Sequence, residues 1–212
     1  MKTEALIRTL AADAAPGRPV GPVLAVTLAV SAAAVGVVVL SILGINPELG
    51  AMLASWPLLL LRQVFPTLLA LGSALLALRL ARPGAAPGAA LSLFPLAALV
   101  AGFVVGRELT LVPRADWGRA AMGGTAGACL LTVGLTGSAL LAGTLRALAR
   151  GASTRPRLSG ALAGLLAGSV AAVLYALHCT ETSPLFYAVW YGLAILGVTG
   201  LGALVGPRLL RW

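Results

Sequence analysis

Residues 20–43 read V-G-P-V-L-A-V-T-L-A-V-S-A-A-A-V-G-V-V-V-L-S-I-L, and this uncharged stretch decides the class of fold. A helix needs about 20 apolar residues to cross about 30 Å of hydrocarbon, and the run is long enough. Backbone exposed to lipid must satisfy its own hydrogen bonds, and the alternating pattern of barrel strands is absent from the sequence. We therefore predict a transmembrane helix at about 21–43.

Similar apolar runs recur along the whole chain. Of its 212 residues, 59% are hydrophobic and 10% are charged, and the mean hydropathy is +1.00. Soluble domains carry roughly 25% charged residues, so a soluble globule is excluded. We predict an all-α integral membrane bundle of six transmembrane helices over residues 20–212. The predicted spans are about 21–43, 58–79, 89–106, 120–142, 160–178 and 185–206.

The fifteen Lys and Arg residues are unevenly divided between the two sides of this bundle. Positive residues favour the cytoplasmic side, so both termini are expected in the cytoplasm. The segment around His178 is then expected outside, in the periplasm if this is an inner-membrane protein of a Gram-negative bacterium. The net charge of +9 is then explained by the orientation of the spans in the membrane, and no direct nucleic-acid binding is expected. Arg62 is expected to reach outward from its span end to water. The cytoplasmic group is Lys2, Arg8, Arg18, Arg79, Arg82, Arg146, Arg150, Arg155, Arg157, Arg208 and Arg211, and the opposite group is Arg62, Arg107, Arg114 and Arg119.

A polar leader, residues 1–19, precedes the first span. Thr3 can cap a short amphipathic helix in which Leu6, Ile7 and Leu10 share one face, and Pro16 stops it. One interpretation is a disordered tail or a helix lying on the membrane surface. The other is a recognition helix that folds into the groove of a cytoplasmic partner.

A short polar gap between the last two spans contains the only histidine, His178, next to Cys179. Tyr175, His178, Cys179 and Thr182 are spaced i, i+3, i+4 and i+7, so one helix face could present imidazole and thiolate together. Both groups are good ligands for soft and borderline metals. Two adjacent ligands make a weak site, so Cys129, Glu181, Asp116 or water would have to contribute. The candidate metal set is Cys129, His178, Cys179 and Glu181. The alternative is an interfacial histidine beside a buried structural cysteine.

The two cysteines are predicted to lie at different depths. Cys129 is about nine residues into the fourth span, or roughly 13 Å deep, whereas Cys179 is expected at the surface. A disulfide requires Cα atoms within about 7 Å, so it would be strained. A shift of the fourth helix against the fifth on metal binding is equally compatible with the sequence.

Glycines spaced four residues apart form stripes on the last three spans, where they let helices approach closely in lipid. Packing within the chain is one interpretation, and a homodimer is the other. The stripes are Gly160, Gly164 and Gly168, then Gly123 with Gly127, and Gly202 with Gly206.

Two other classes of function are disfavoured. Ion-coupled transporters need charged residues in the bundle interior, and no Asp, Glu, Lys or Arg lies near the middle of a predicted span. A small metal or solute transporter or channel remains the alternative hypothesis. Because His178 lies at a span end and no serine has a partner base, no enzyme activity is expected.

Three segments resemble the NrsF family of six-span bacterial inner-membrane anti-sigma factors. They are M-K-T-E-A-L-I-R-T-L-A-A-D at 1–13, A-L-H-C-T-E-T-S-P-L-F-Y-A-V-W-Y-G-L-A-I at 176–195, and R-L-L-R-W at 208–212. The family commonly has Pro-Glu where this chain has Thr180-Glu181.

The resemblance implies regulation of transcription through an extracytoplasmic-function sigma factor. It implies that the leader holds the sigma factor and that Cys129 and Cys179 take part in sensing from the periplasmic side. We expect these cysteines, with His178, to sense a stress such as heavy metal or oxidant. The expected partners are that sigma factor and the lipid bilayer, and no cofactor is expected beyond a transient soft metal. The candidate sigma-binding residues are Leu6, Ile7, Arg8, Leu10 and Asp13.

Overall fold

The computed structural model describes residues 3–13, 19–82, 85–86 and 88–211. Every regular element in these residues is helical, and six helices are long and apolar enough to cross a membrane. The all-α, six-span prediction is therefore confirmed, while the orientation of the termini stays a prediction. Spans one to six are Val20–Leu43, Leu60–Leu80, Gly88–Leu111, Ala126–Leu148, Pro156–Tyr175 and Pro184–Leu209.

Short helices surround these spans. Thr3–Asp13 forms the leader helix, and Leu49–Ala54 with Trp56–Leu59 connects span one to span two. Trp117–Met122 precedes span four. Span two begins with a wide, π-helical turn at Leu60–Val64, and span six contains another at Tyr187–Tyr191, directly after its first three residues.

Span five is the centre of the bundle. In its most apolar window 67% of the residues are buried, against 17% in spans one and three, and it packs against spans one, two, four and six. Its small residues let neighbouring backbones approach. A Cβ added to Gly160 would lie 2.7 Å from Gly206 Cα, and one added to Gly164 would lie 2.8 Å from Thr199 Cα. The stripe on span five therefore packs within the chain, against span six.

The stripe predicted on span four is not formed. Gly123 lies outside the helix with φ +57°, and Gly127 has nothing within 4 Å of an added Cβ. A non-glycine residue rarely adopts this φ, so Gly123 ends the helix Trp117–Met122. Span four therefore begins at Ala126 instead of near residue 120.

We expect Gly164→Ala to destabilise the bundle by about 1–3 kcal/mol, because the new methyl group would collide with the backbone of span six. Gly200→Ala is the matched control, since nothing lies within 4 Å of the Cβ that it adds to span six. Thermal unfolding in detergent compares the two variants with the parent. Equal midpoints for all three proteins would contradict the close packing of spans five and six.

The connections divide between the two faces of the bundle as the alternation of spans predicts. On one face, His178 Nδ1 lies 3.1 Å from the carbonyl oxygen of Gly44, at the end of span one. On the other, the Ala152 amide donates to the Ala81 carbonyl over 3.1 Å, which joins the second and fourth connections. Span one has 24 residues and is about 36 Å long at ~1.5 Å per residue. The start of span one, which the leader precedes in sequence, and the polar gap consequently lie at opposite ends of the bundle.

Candidate functional site

Both cysteine thiols are free and buried. Cys129 is 0% exposed and Cys179 is 1% exposed, and both belong to the main apolar cluster of the bundle. The expectation that Cys179 lies at the surface is therefore wrong. Span five ends at Tyr175, and the turn that follows folds inward instead of leaving the bundle.

The depth predicted for Cys129 is also wrong. Because span four begins at Ala126, Cys129 lies in its first turn instead of near its middle. The two cysteines are thus both at the end of the bundle that contains the polar gap. A disulfide between Cys129 and Cys179 was predicted to be strained because the two residues were expected at different depths. The structure does not have this difference in depth.

Aromatic side chains surround the thiol of Cys179. The Tyr187 hydroxyl lies 3.6 Å from Cys179 Sγ and also donates to the Glu181 carbonyl. The ring of Tyr187 meets that of Tyr191 edge-to-face, with 4.9 Å between centroids. Tyr191 is completely buried, and its hydroxyl has no hydrogen-bond partner among the described residues. Both tyrosines belong to the π-helical turn near the start of span six.

Arg62 lies in the same buried region and does not reach out to water as expected. It is 0% exposed. Its Nη2 donates to the carbonyls of Ala176 and Cys179, the second over 3.0 Å, and its Nη1 donates to Met52 Sδ over 2.6 Å. These carbonyls lie beyond the last turn of span five, where the helix dipole favours a cation. The guanidinium carbon also lies 5.3 Å from the centre of the Tyr187 ring.

Asn46 is a second residue that sequence reasoning missed. Its side-chain amide donates to the Cys179 carbonyl over 2.9 Å and to Met52 Sδ over 3.0 Å, and its backbone amide donates to the Leu177 carbonyl over 3.0 Å. The sequence feature that could have identified Asn46 is its position. Asn46 and Arg62 lie at the two ends of the connection between spans one and two, on the face that contains the polar gap. Their partners are distant in sequence, so no local pattern identifies them.

Glu181 connects the cysteine turn to span four. Its Oε1 accepts hydrogen bonds from the Gly124 amide over 2.8 Å, the Thr125 amide over 2.9 Å and the Thr125 hydroxyl over 2.8 Å. These amides immediately precede Ala126, where span four begins, so the carboxylate lies at the N-terminal end of the helix, where the helix dipole favours a negative charge. The segment that contains Cys179 thereby caps the helix that contains Cys129.

Glu181→Ala should destabilise the protein by about 1–3 kcal/mol, because two backbone amides and a hydroxyl lose their acceptor. Glu108→Ala is the matched control, since Glu108 lies at the same end of the bundle in span three. Thermal unfolding in detergent measures the difference between the two variants. A loss no larger for Glu181→Ala than for Glu108→Ala would show that the cap contributes nothing.

The four candidate metal ligands do not form a coordination site in this arrangement. Among the residues described, no three His, Cys, Asp or Glu side chains lie close enough together to hold a metal ion. His178 contacts Gly44, and one oxygen of Glu181 is occupied by the cap of span four. Joint ligation by Cys129, His178, Cys179 and Glu181 therefore requires rearrangement, and it stays a prediction.

The candidate sigma-binding residues lie on the leader helix Thr3–Asp13. The side chains of Leu6 and Ile7 are 43% and 59% exposed, and Arg8 is also exposed. The side chains of Leu10 and Asp13 lie outside the part that the structure describes. The leader helix therefore exposes at least two large apolar side chains.

Comparison with known proteins identifies relatives over the full length. A family model described as NrsF, negative regulator of sigma F, matches residues 10–212. A probable anti-sigma-F factor NrsF of Azospira oryzae is 37% identical over 219 residues, with 100% of each chain covered. The anti-sigma-F factor NrsF of Caulobacter vibrioides is 34% identical over 218 residues, again with 100% of each chain covered. No solved structure matches this chain.

Proposed function

This chain belongs to the NrsF family of negative regulators of sigma F, and from that premise we propose that it is a membrane-bound anti-sigma factor. Its leader sequesters an extracytoplasmic-function sigma factor at the cytoplasmic face of the inner membrane. A stress such as heavy metal or oxidant acts on Cys129 and Cys179 from the periplasm and releases the sigma factor.

The observation that carries this proposal is the exposure of Leu6 and Ile7 on a helical leader. An amphipathic helix with an uncovered apolar face is the ligand in helix-in-groove recognition. Because the family consists of negative regulators of sigma F, the candidate partner for this face is a sigma factor. By occupying an apolar surface that the sigma factor needs for RNA polymerase, the leader prevents transcription.

The position of the thiols supports a release mechanism. Cys129 begins span four and Cys179 follows span five, so a change at either thiol bears directly on the packing of these two helices. Their opposite ends meet the basic connection at the face where the leader enters. To change occupancy from about 99:1 to 1:99, the signal must supply roughly 5.5 kcal/mol. Metal–thiolate binding is sufficient, because structural zinc sites reach about 10–16 kcal/mol.

The orientation follows from the charge bias. Eleven of the fifteen Lys and Arg residues belong to the leader, the second and fourth connections and the tail. Both termini are then cytoplasmic, which exposes the leader to the sigma factor. The same orientation exposes the cysteine end of the bundle to the periplasm.

A pull-down from the native host tests the function. The tagged, detergent-solubilised protein is compared with a form that lacks residues 2–15, and the co-purifying proteins are identified. We expect the full-length protein to capture a sigma factor and the truncated protein to lose it. If neither form captures a sigma factor under conditions that preserve membrane complexes, the proposal fails.

A further inference from the structure

Arg62 is a fully buried cation within a span, and such residues are costly to bury in a membrane protein. They are tolerated where they bind partners that matter to function. Here the partners are the backbone carbonyls of Ala176 and Cys179, Met52 Sδ and the face of the Tyr187 ring. Arg62 therefore contacts the turn that contains one of the candidate sensing thiols.

The local geometry around Arg62 is unusual in two ways. Arg62 lies in the π-helical turn Leu60–Val64, which contacts the second π-helical turn, Tyr187–Tyr191. Such turns are rare and occur frequently at functional sites. In addition, Arg62 Nε is buried and has no hydrogen-bond partner among the described residues. Buried donors are usually paired, so the hydrogen bonds that hold this side chain come from Nη1 and Nη2 alone.

The Cys179 carbonyl accepts hydrogen bonds from two side chains, Arg62 over 3.0 Å and Asn46 over 2.9 Å. The Cys179 thiol is 1% exposed, so a reagent or metal reaches it only when this turn moves. Movement of the turn breaks both hydrogen bonds to the carbonyl. It also leaves the buried guanidinium without its main acceptors, which is unfavourable unless span two moves with it.

Span two extends from this site to the opposite face of the bundle. Its 21 residues, Leu60–Leu80, cover roughly 30 Å. Just beyond its far end, the Ala81 carbonyl accepts a hydrogen bond from the Ala152 amide in the connection between spans four and five. One helix therefore contacts the cysteine turn at one end and the leader side of the protein at the other.

We propose that Arg62 is a positioning residue that holds the Cys179 turn in the sigma-binding state and transmits its displacement through span two. This inference rests on the function proposed above. Asn46 assists by holding the same carbonyl. When Arg62 loses the Cys179 and Ala176 carbonyls, span two shifts, and the contact between Ala81 and Ala152 at the leader side shifts with it.

The test compares Arg62→Gln, Arg62→Lys and a matched control, Arg107→Gln. Arg107 is also an arginine at this end of the bundle, and its guanidinium carbon lies 5.1 Å from the centre of the Trp56 ring. Two quantities are measured in intact membranes, without inducer. The first is the rate at which N-ethylmaleimide labels the Cys179 peptide, and the second is sigma-dependent transcription, normalised to the amount of protein in the membrane.

We expect Arg62→Gln to accelerate labelling at least about tenfold, because loss of charge-assisted hydrogen bonds raises the open population. Transcription should rise toward the induced level. Arg62→Lys should give intermediate values, since an ammonium cannot reproduce the guanidinium fork. Arg107→Gln should match the parent in both measurements.

Labelling at the parental rate in Arg62→Gln would overturn the proposal. Faster labelling with intact repression would also overturn it, because the turn would then move without any effect at the leader. If Arg62→Gln does not accumulate in the membrane, Asn46→Ala takes its place, since it removes one donor from the same carbonyl. The labelling measurement needs no sigma factor, so failure of the anti-sigma function is distinguishable from failure of the Arg62 contact.

Discussion

Replacing Leu6 with Asp makes sigma-dependent transcription constitutive if the leader is the sigma-binding element. Leu6 is 43% exposed on the leader helix, so the substitution leaves the bundle unchanged. In a helix-in-groove interface it introduces a charge where an apolar anchor is required. Loss of such an anchor costs about 2–4 kcal/mol, or roughly 30- to 800-fold in Kd. A reporter driven by the sigma factor measures the result without inducer.

The matched control is Ala12→Asp, which introduces the same charge into the same helix. Ala12 is exposed and lies opposite the face shared by Leu6 and Ile7, at a helical period of about 3.6 residues. Its repression should equal that of the parent. Full repression by a Leu6→Asp protein present at normal levels in the membrane would remove the leader from the mechanism.

The double variant Cys129→Ser, Cys179→Ser should repress normally and fail to release the sigma factor when stress is applied. A serine hydroxyl has nearly the size of a thiol, but it neither forms a disulfide nor binds a soft metal well. The expected result is a loss of essentially the whole induction by heavy metal or oxidant. The same reporter measures it, with and without the inducing chemical.

Both positions are buried, so an unpartnered hydroxyl could itself destabilise the bundle by about 1–3 kcal/mol. Cys129→Ala with Cys179→Ala is the control for this effect, because it removes the thiols without adding a polar group. If both double variants still repress transcription without inducer, they are folded, and a loss of induction is then due to the loss of the sensing thiols. Normal induction in either would show that the thiols are not the sensor.

The six spans could be predicted from the sequence because the hydrophobic requirement of a membrane helix is local. A run such as Val20–Leu43 satisfies it without reference to any other part of the chain. The glycines at 160, 164 and 168 also indicated close packing, since small residues on a helix in lipid allow the backbone of a neighbouring helix to approach. Their partner, span six, followed only from the structure.

The arrangement of the candidate site could be predicted only in part. The sequence identified the region around His178 and Cys179, because polar residues between apolar runs are conspicuous. The depth of Cys129 was predicted wrongly, since an apolar stretch does not show where a helix begins. That start is decided by Gly123, with its positive φ, and by a carboxylate, Glu181, that lies far away in sequence.

The sequence by itself determined an all-helical, six-span membrane protein with a polar leader and one chemically distinctive gap, because hydropathy and charge act residue by residue. Only the tertiary structure decided that both thiols are buried together and that Arg62 and Asn46 hold the Cys179 turn. The physical reason is that a buried polar group must find a hydrogen-bond partner. That partner is chosen by the packing of helices that are remote in sequence.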